Sequence, residues 1–517
     1  MSEVCLCIHG HFYQPPRENP WTNEIDDEPS AAPFHNWNER IYSECYLPNS
    51  EAGIYENYTT LIREVNNYEL LNFNFGPTLF NWIKEKHINL YHRIIDADKK
   101  SVERRHGHGN AIAQVYNHII MPLANLRDKL TQIKWGLRDF ELNFNRRPEG
   151  MWLAETACDY ETIEVLIHEG IKYIILDASQ AESVRSIGER RWHDVSDNSI
   201  DTKRPYRCYS QLNHKKHIDI FFYDGPLSKT IAFEDLLNDA GKLLDRINES
   251  RDKNRSEPQL ISIATDGETF GHHKKFADRT IAYLLSELAP QNGIKICNYG
   301  EYLKAHPPKW EAKIKKGPEG LGTSWSCLHG VKRWKENCGC TTGGEQDWNQ
   351  KWRTPLRDSL NWLRDECAKV FEAEGNKYLK DVWSARNDYI DLMHERSHHN
   401  IIKFFARHGR VNVDNKGIEL VFKLLEMEKY SLLMFSSCGW FFSDIAGLEA
   451  MQILKYACRT LEYLNDITGV DYEESFLAIL KSAIPNDKKY PDAAIMYLKE
   501  IKPLAGKIKF DYFKGII

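Results

Sequence analysis

Two short stretches carry acids placed for chemistry. The first, Gly150-Met151-Trp152-Leu153-Ala154-Glu155, follows a turn signal and reads as an apolar segment that delivers Glu155 at its C-terminal end. The second, residues 260–273 (LISIATDGETFGHH), repeats the design farther along and ends in Asp266 and Glu268. Two acids on two strand ends suit a site that needs a pair of carboxyl groups. Cleavage or transfer of a glycosidic bond needs such a pair: an ionised group faces the anomeric carbon, and a second holds a proton for the leaving oxygen. Glu155 and Asp266 supply it, with Glu268 in reserve. An acid just after a strand is equally suited to cap a helix, and Asp266 or Thr269 has the chemistry for that role too.

His9, His11, His272 and His273 stand near strand-like runs or in the loops that follow. An imidazole there ligates metal, donates to a sugar hydroxyl or simply completes the packing, and the spacing of His9 and His11 fits metal. Gln14 lies in the loop after the first run. Trp325 and Trp440 border polar and glycine-rich sequence, where a ring serves either to stack on a sugar or to pack. His329 and Arg333 share the run with Trp325, and the Arg333 charge is able to hold a carboxylate ionised. Cys338-Gly339-Cys340 and Cys5-Leu6-Cys7 are close pairs, neither with a partner at the usual zinc spacing. No metal site and no cofactor are expected.

Strands must position these groups. Short apolar runs at residues 4–8, 70–75, 151–155, 172–177, 218–222, 258–264 and 294–296 alternate with helical spacing over residues 1–310, and residues 55–66 and 77–86 read as helices. That alternation favours a parallel α/β sheet or barrel, with catalytic groups at strand C-termini. Residues 311–344 read as a glycine-rich connection lining the cleft. Strand signals vanish from residue 345, and amphipathic runs predict a helical domain over 345–517.

Composition sets the outer bounds. The 517 residues carry a formal charge of −6, which argues against nucleic acid as the main partner. The 14 Trp and 25 Tyr fit a carbohydrate-facing surface and thick core packing alike. No run approaches a membrane span, and no signal peptide is evident at the start, so a cytoplasmic protein with reduced thiols is expected. No P-loop, zinc-protease or dinucleotide motif occurs. Nothing in the sequence sets the oligomeric state.

At these residues the chain resembles glycoside hydrolase family 57, the α-amylase, 4-α-glucanotransferase and amylopullulanase group. The start, IHGHFYQPP, is similar to the family's first motif but carries Phe12 and Tyr13 as an insertion before Gln14. GMWLAE resembles the motif that bears the nucleophile, which assigns that role to Glu155. ATDGETFGHH resembles the motif that bears the acid/base, which assigns it to Asp266. The region from Ser324 on resembles an uncharacterised helical C-terminal domain. The resemblance implies an incomplete (β/α)7 barrel followed by that helical domain. It also implies a retaining double displacement on α-glucan or another oligosaccharide without a catalytic metal. His9, His11, Gln14, Trp152, Glu268, His272, His273, Trp325, His329, Arg333 and Trp440 are then the candidates to hold sugar. Two rivals stand beside this reading: a metal-dependent hydrolase of α-mannosidase or deacetylase type, and a non-catalytic glycan-binding protein.

Overall fold

The computed structural model describes residues 3–57 and 59–506. The chain forms two units. The first takes in the chain up to Gln14, Asp27–Val115 and Phe140–Ser326; the second takes in Pro15–Asp26, Tyr116–Asp139 and the chain from Cys327 on.

In the first unit the strands that position the acids are β1 (Val4–Phe12), β2 (Asn72–Phe75), β3 (Ala113–Gln114), β4 (Met151–Trp152), β5 (Tyr173–Asp177), β6 (His217–Tyr223), β7 (Gln259–Asp266) and β8 (Lys295–Ile296). Each residue of β1 is buried, as a near-continuous apolar run requires when both faces are covered. β1 runs parallel to β7 from Val4↔Gln259 to His11↔Asp266, to β2 through its C-terminal half, and to β8 near its start. β3 pairs in parallel with β4, and β5 with β6. Parallel bridges Phe73↔Ala111 and Gly150↔Tyr173 continue the succession, and the Asp224 amide donates to the Ser262 carbonyl at 2.8 Å where β6 meets β7. Side chains of β1, β4, β5, β6 and β7, among them Cys7, Trp152, Tyr173, Phe221 and Leu260, meet in one core. This is a barrel-like α/β architecture.

Helices follow the strands where a capping side chain turns the backbone. Asp159 accepts from the Thr162 amide at 2.9 Å to start α1 (Tyr160–His168), and Asp224 accepts from the Leu227 amide at 3.0 Å to start α2 (Gly225–Phe233).

Two local expectations are corrected. Among the described residues of 55–66 there is no helix; Tyr55 and Leu61–Val65 belong to the hairpin of Ala52–Tyr55 and Leu61–Val65. The Asn57 side chain accepts from the amides of Thr59 and Thr60, a local turn that competes with helix. The connection after residue 310 begins with a strand, Trp310–Ile314, antiparallel to Ala181–Ser186, with Glu311 paired to Arg185 at 2.7 Å.

The second unit is built on helices α3 (Arg353–Gly375), α4 (Asn415–Leu433) and α5 (Leu448–Thr468). Leu356, Leu360, Leu363 and Phe371 form one buried stripe along α3 at helical spacing. Among the described residues no helix is long and apolar enough to cross a membrane.

Candidate active site

Glu155 sits one step beyond β4, in a single 3-10 turn, Ala154–Thr156. Its backbone is left-handed (φ 57, ψ 23), and so is that of Thr156 (φ 50). Each such residue costs about 1–2 kcal/mol relative to ordinary helix geometry, so the surroundings must hold the kink. Gln180 does this. Its amide donates to the Thr156 carbonyl at 2.9 Å, and its Oε1 accepts from Thr156 Oγ1 at 2.8 Å. The kink aims the Glu155 carboxyl at two donors: Trp325 Nε1 at 2.8 Å and Ser326 Oγ at 2.6 Å both donate to Oε2. The Trp325 amide also donates to the Glu155 carbonyl at 3.1 Å. Two donors on one oxygen favour a carboxylate.

Asp266 ends β7, the exposed last residue of an otherwise buried strand. It makes no capping bond to the turn that follows, so the helix-capping alternative is set aside. Enclosure by the surrounding protein, then the negative charge of Glu155, push its carboxyl up to about 7. Water still reaches the group and screens part of that penalty. The two acids therefore sense one another, and one is biased towards keeping its proton.

Glu268 is buried. Its Oε1 accepts from the Tyr46 hydroxyl at 2.6 Å and the Tyr13 amide at 3.0 Å. Burial, partly opposed by the Tyr46 bond, raises it to about 8. These bonds bind the Phe12-Tyr13 pair into the site: the Phe12 ring packs where a Cβ on Gly267 would stand, 2.3 Å from its Cδ1, and the Tyr13 ring stacks on His11.

The histidines of β1 are held from β2. His9 Nδ1 lies 2.8 Å from Asn72 Oδ1 and Nε2 lies 3.1 Å from Asn74 Oδ1, while His11 Nδ1 also meets Asn74. Asn74 in turn donates to Gln114 Oε1 of β3 at 2.8 Å. Both rings stack on Trp152, at 4.7 and 5.0 Å between centroids. Burial lowers His9 to about 4, so its ring is neutral. Among the described residues the wholly buried indole Nε1 of Trp152 has no hydrogen-bond partner. Trp325 packs edge-on to Trp152 at 5.2 Å and to Tyr223 at 6.2 Å.

The remaining candidates disperse. Gln14 donates to the Tyr13 carbonyl at 3.1 Å. His272 pairs through Nδ1 with Glu44, and His273 is exposed beside it. Arg333, in the second unit, donates to the Phe441 carbonyl at 2.9 Å and lies over the Phe441 ring. Trp440 is wholly buried there under Arg357, so packing describes its placement. His329 stands near the sulfur of Cys340, 3.6 Å away. Sequence reasoning passed over Asn72, Asn74, Gln114, Gln180, Tyr223 and Ser326. Asn72 and Asn74 at alternate positions of a strand otherwise apolar were a legible signal, as was Tyr223 at the end of β6; Gln180 and Ser326 carried none. A hollow of about 670 Å³ in this unit is lined by Arg63, Glu69, Arg105 and Glu301 and not by the two acids, so chemistry and not volume marks the site.

A barrel-like α/β unit with two acids near enough to influence one another is the class that the geometry defines. The model of glycosyl hydrolase family 57 matches residues 8–315 and that of a domain of unknown function, DUF3536, matches residues 348–509; the chain belongs to glycosyl hydrolase family 57. Residues 316–347 fall between the two matches. Over 115 residues, 22% of the chain, it is 25% identical to alpha-amylase 1 of Dictyoglomus thermophilum, a match spanning 16% of that protein. The exo-type maltose-forming amylase of Pyrococcus sp. ST04 has a similar fold, with a TM-score of 0.69 and 16% identity over 92% of this chain and 82% of that one. The 4-alpha-glucanotransferase of Thermococcus litoralis gives a TM-score of 0.53 and 15% identity over 90% of this chain and 60% of that one.

Proposed function

We propose that the chain is a retaining enzyme of α-glucans, a hydrolase or transglycosylase whose first unit is an incomplete (β/α)7 barrel. Glu155 Oε attacks the anomeric carbon as the glycosidic C–O bond breaks, and Asp266 gives its proton to the departing oxygen. In the second step Asp266, now a carboxylate, takes a proton from water or a sugar hydroxyl. That oxygen attacks the same carbon and releases Glu155. The observation that carries this reading is the asymmetry of the pair: Glu155 accepts from Trp325 and Ser326, whereas Asp266 has no capping bond and is pushed towards its protonated form. The relatives' activities support α-glucan as the substrate class.

The metal-dependent rival asks His9 or His11 to face an ion together with Asp266. Both His9 nitrogens face asparagine side chains instead, which favours an orienting role for the ring.

Product analysis on maltooligosaccharides, wild type beside Glu155→Gln, tests the proposal. Shortened chains mean hydrolysis and ladders longer than the input mean transfer. Either is expected to fall by at least about 10³-fold in the variant, the scale on which removing a covalent nucleophile acts. Equal turnover in the two proteins, or no action of the wild type on any α-glucan, would overturn it.

A further inference from the structure

The linking stretch between the two family matches holds a second arrangement of side chains. Cys327, His329, Cys338 and Cys340 offer one ligand atom each, and these four atoms lie within 4.8 Å of one another. Cys327 Sγ is 4.0 Å from Cys338 Sγ and 3.8 Å from Cys340 Sγ, and Cys340 Sγ is 3.6 Å from His329 Nδ1.

Those three separations match three of the six edges of a tetrahedral site. With zinc–sulfur bonds of about 2.3 Å, tetrahedral angles set sulfur–sulfur edges of about 3.8 Å; with a zinc–nitrogen bond of about 2.05 Å, the mixed edge is about 3.5–3.6 Å. A disulfide would bring two sulfurs to about 2.05 Å, and none of these pairs approaches that. We propose that Cys327, His329, Cys338 and Cys340 form a closed Cys3His site for a structural zinc ion.

The backbone is shaped for it. Gly339 between the two cysteines takes φ 85, a left-handed turn that swings neighbouring sulfurs to one side. The amides of His329 and Arg333 point at the Cys327 sulfur and that of Cys340 at the Cys338 sulfur, the outer support that thiolate ligands require. Three thiolates and a neutral imidazole on a divalent ion leave one net negative charge. The buried Arg353 answers it, donating from Nη1 to the Cys340 carbonyl at 2.9 Å.

The ligand types select the metal. Thiolates with one imidazole in a tetrahedron suit zinc, whereas the oxygen donors that calcium or magnesium prefers are missing from the set. Four protein ligands leave no open position for substrate, so the ion would hold the link in shape and take no part in glycoside chemistry. The sequence spacing, C-x-H and C-x-C separated by eight residues, departs from the usual two-residue gaps and hides the set from a pattern search. The site is independent of the function proposed above, and its test does not read glycan turnover.

The untagged full chain, purified from zinc-supplemented cells without chelator, is to be measured by elemental analysis beside Cys338→Ser/Cys340→Ser and His329→Ala. About one zinc per chain is expected in the wild type and less than about a tenth of that in the double variant. His329 is exposed, so its replacement should leave the fold intact and weaken zinc binding at least about tenfold, the loss that even an outer contact can bring. Cobalt substitution of the wild type is to show thiolate charge-transfer bands with tetrahedral visible absorption, a readout that needs no variant. Zinc-free wild type, zinc retained by the double variant, an iron–sulfur chromophore, or a disulfide among these cysteines would each overturn the proposal.

Discussion

At the residue scale the role proposed for Glu155 rests on a backbone conformation that a glutamate seldom takes. The left-handed turn turns the carboxyl away from the run of β4 and onto Trp325 and Ser326. Trp325→Phe keeps an aromatic side chain and removes the donor; together with Ser326→Ala it is expected to lower kcat by about 10²–10³-fold with little change in KM, the scale of losing preorganised donors at the proposed nucleophile. A matching fall in kcat/KM measured on the double variant checks it. In the proposed mechanism Asp266 must hold a proton to act first. Its carboxyl is raised to about 7, so the form that loses its proton takes over above that value and kcat/KM is expected to decline on the alkaline side from near pH 7. In Glu155→Gln the neighbouring charge is gone, and the Asp266 carboxyl, followed by carbon NMR, is expected to titrate lower; an unchanged midpoint would mean that the two acids do not sense each other. Both acids were legible in the sequence because each ends an apolar run beside a glycine or a turn. Their supports were not: Gln180, Asn72 and Asn74 read as ordinary polar residues until folding brings them within 3 Å or so of their partners.

At the scale of elements, β1 is the hinge of the arrangement, since it pairs with β7, β2 and β8 and places His11 level with Asp266 and Asn74. The Phe12-Tyr13 pair carries that strand into an aromatic cluster with Tyr46, Tyr68 and Phe75 and brings the Tyr13 amide to Glu268. Phe12→Ala is expected to destabilise the protein by about 3–5 kcal/mol, the cost of emptying a buried aromatic site. Gly267→Ala drives a methyl into a rigid ring and is expected to cost about 1–3 kcal/mol. Denaturant midpoints of the two variants measure both. The strands were largely visible as apolar runs. The hairpin at residues 52–65 was not, because the Asn57 turn that decides it depends on side-chain bonds and not on periodicity. Nor was Trp310–Ile314, whose alternating charges look like loop until Arg185 meets Glu311.

At the scale of the whole molecule, buried neutral histidines set the response to acid. His9 in the first unit and His118 in the second, which meets Ser437 Oγ at 2.6 Å, are lowered by burial to about 4 and about 3 from an ordinary value of 6.5. Below pH 6.5 the unfolded chain takes up protons that these rings refuse. Their contribution is therefore present above 6.5 and is lost as pH falls towards 4, by about 3 kcal/mol or more for each ring. Asp266 and Glu268, raised by burial, act in the opposite sense: their protonation stabilises the fold as pH falls and, between pH 6.5 and 4.5, offsets the histidine loss about equally. Removing one of the two histidine losses leaves the carboxyl gains in place, so the melting temperature of His118→Gln relative to the wild type is expected to rise as pH falls from 6.5 to 4.5. The central claim remains chemical: a glutamate at the end of β4 becomes covalently bonded to sugar. Brief incubation of the wild type with a 5-fluoro-α-glucosyl fluoride, followed by peptide mass spectrometry, tests it most directly. The account predicts one hexosyl-sized mass increase on the peptide that contains Glu155; that mass on a different acid, or a β-configured first product with no adduct, would contradict it.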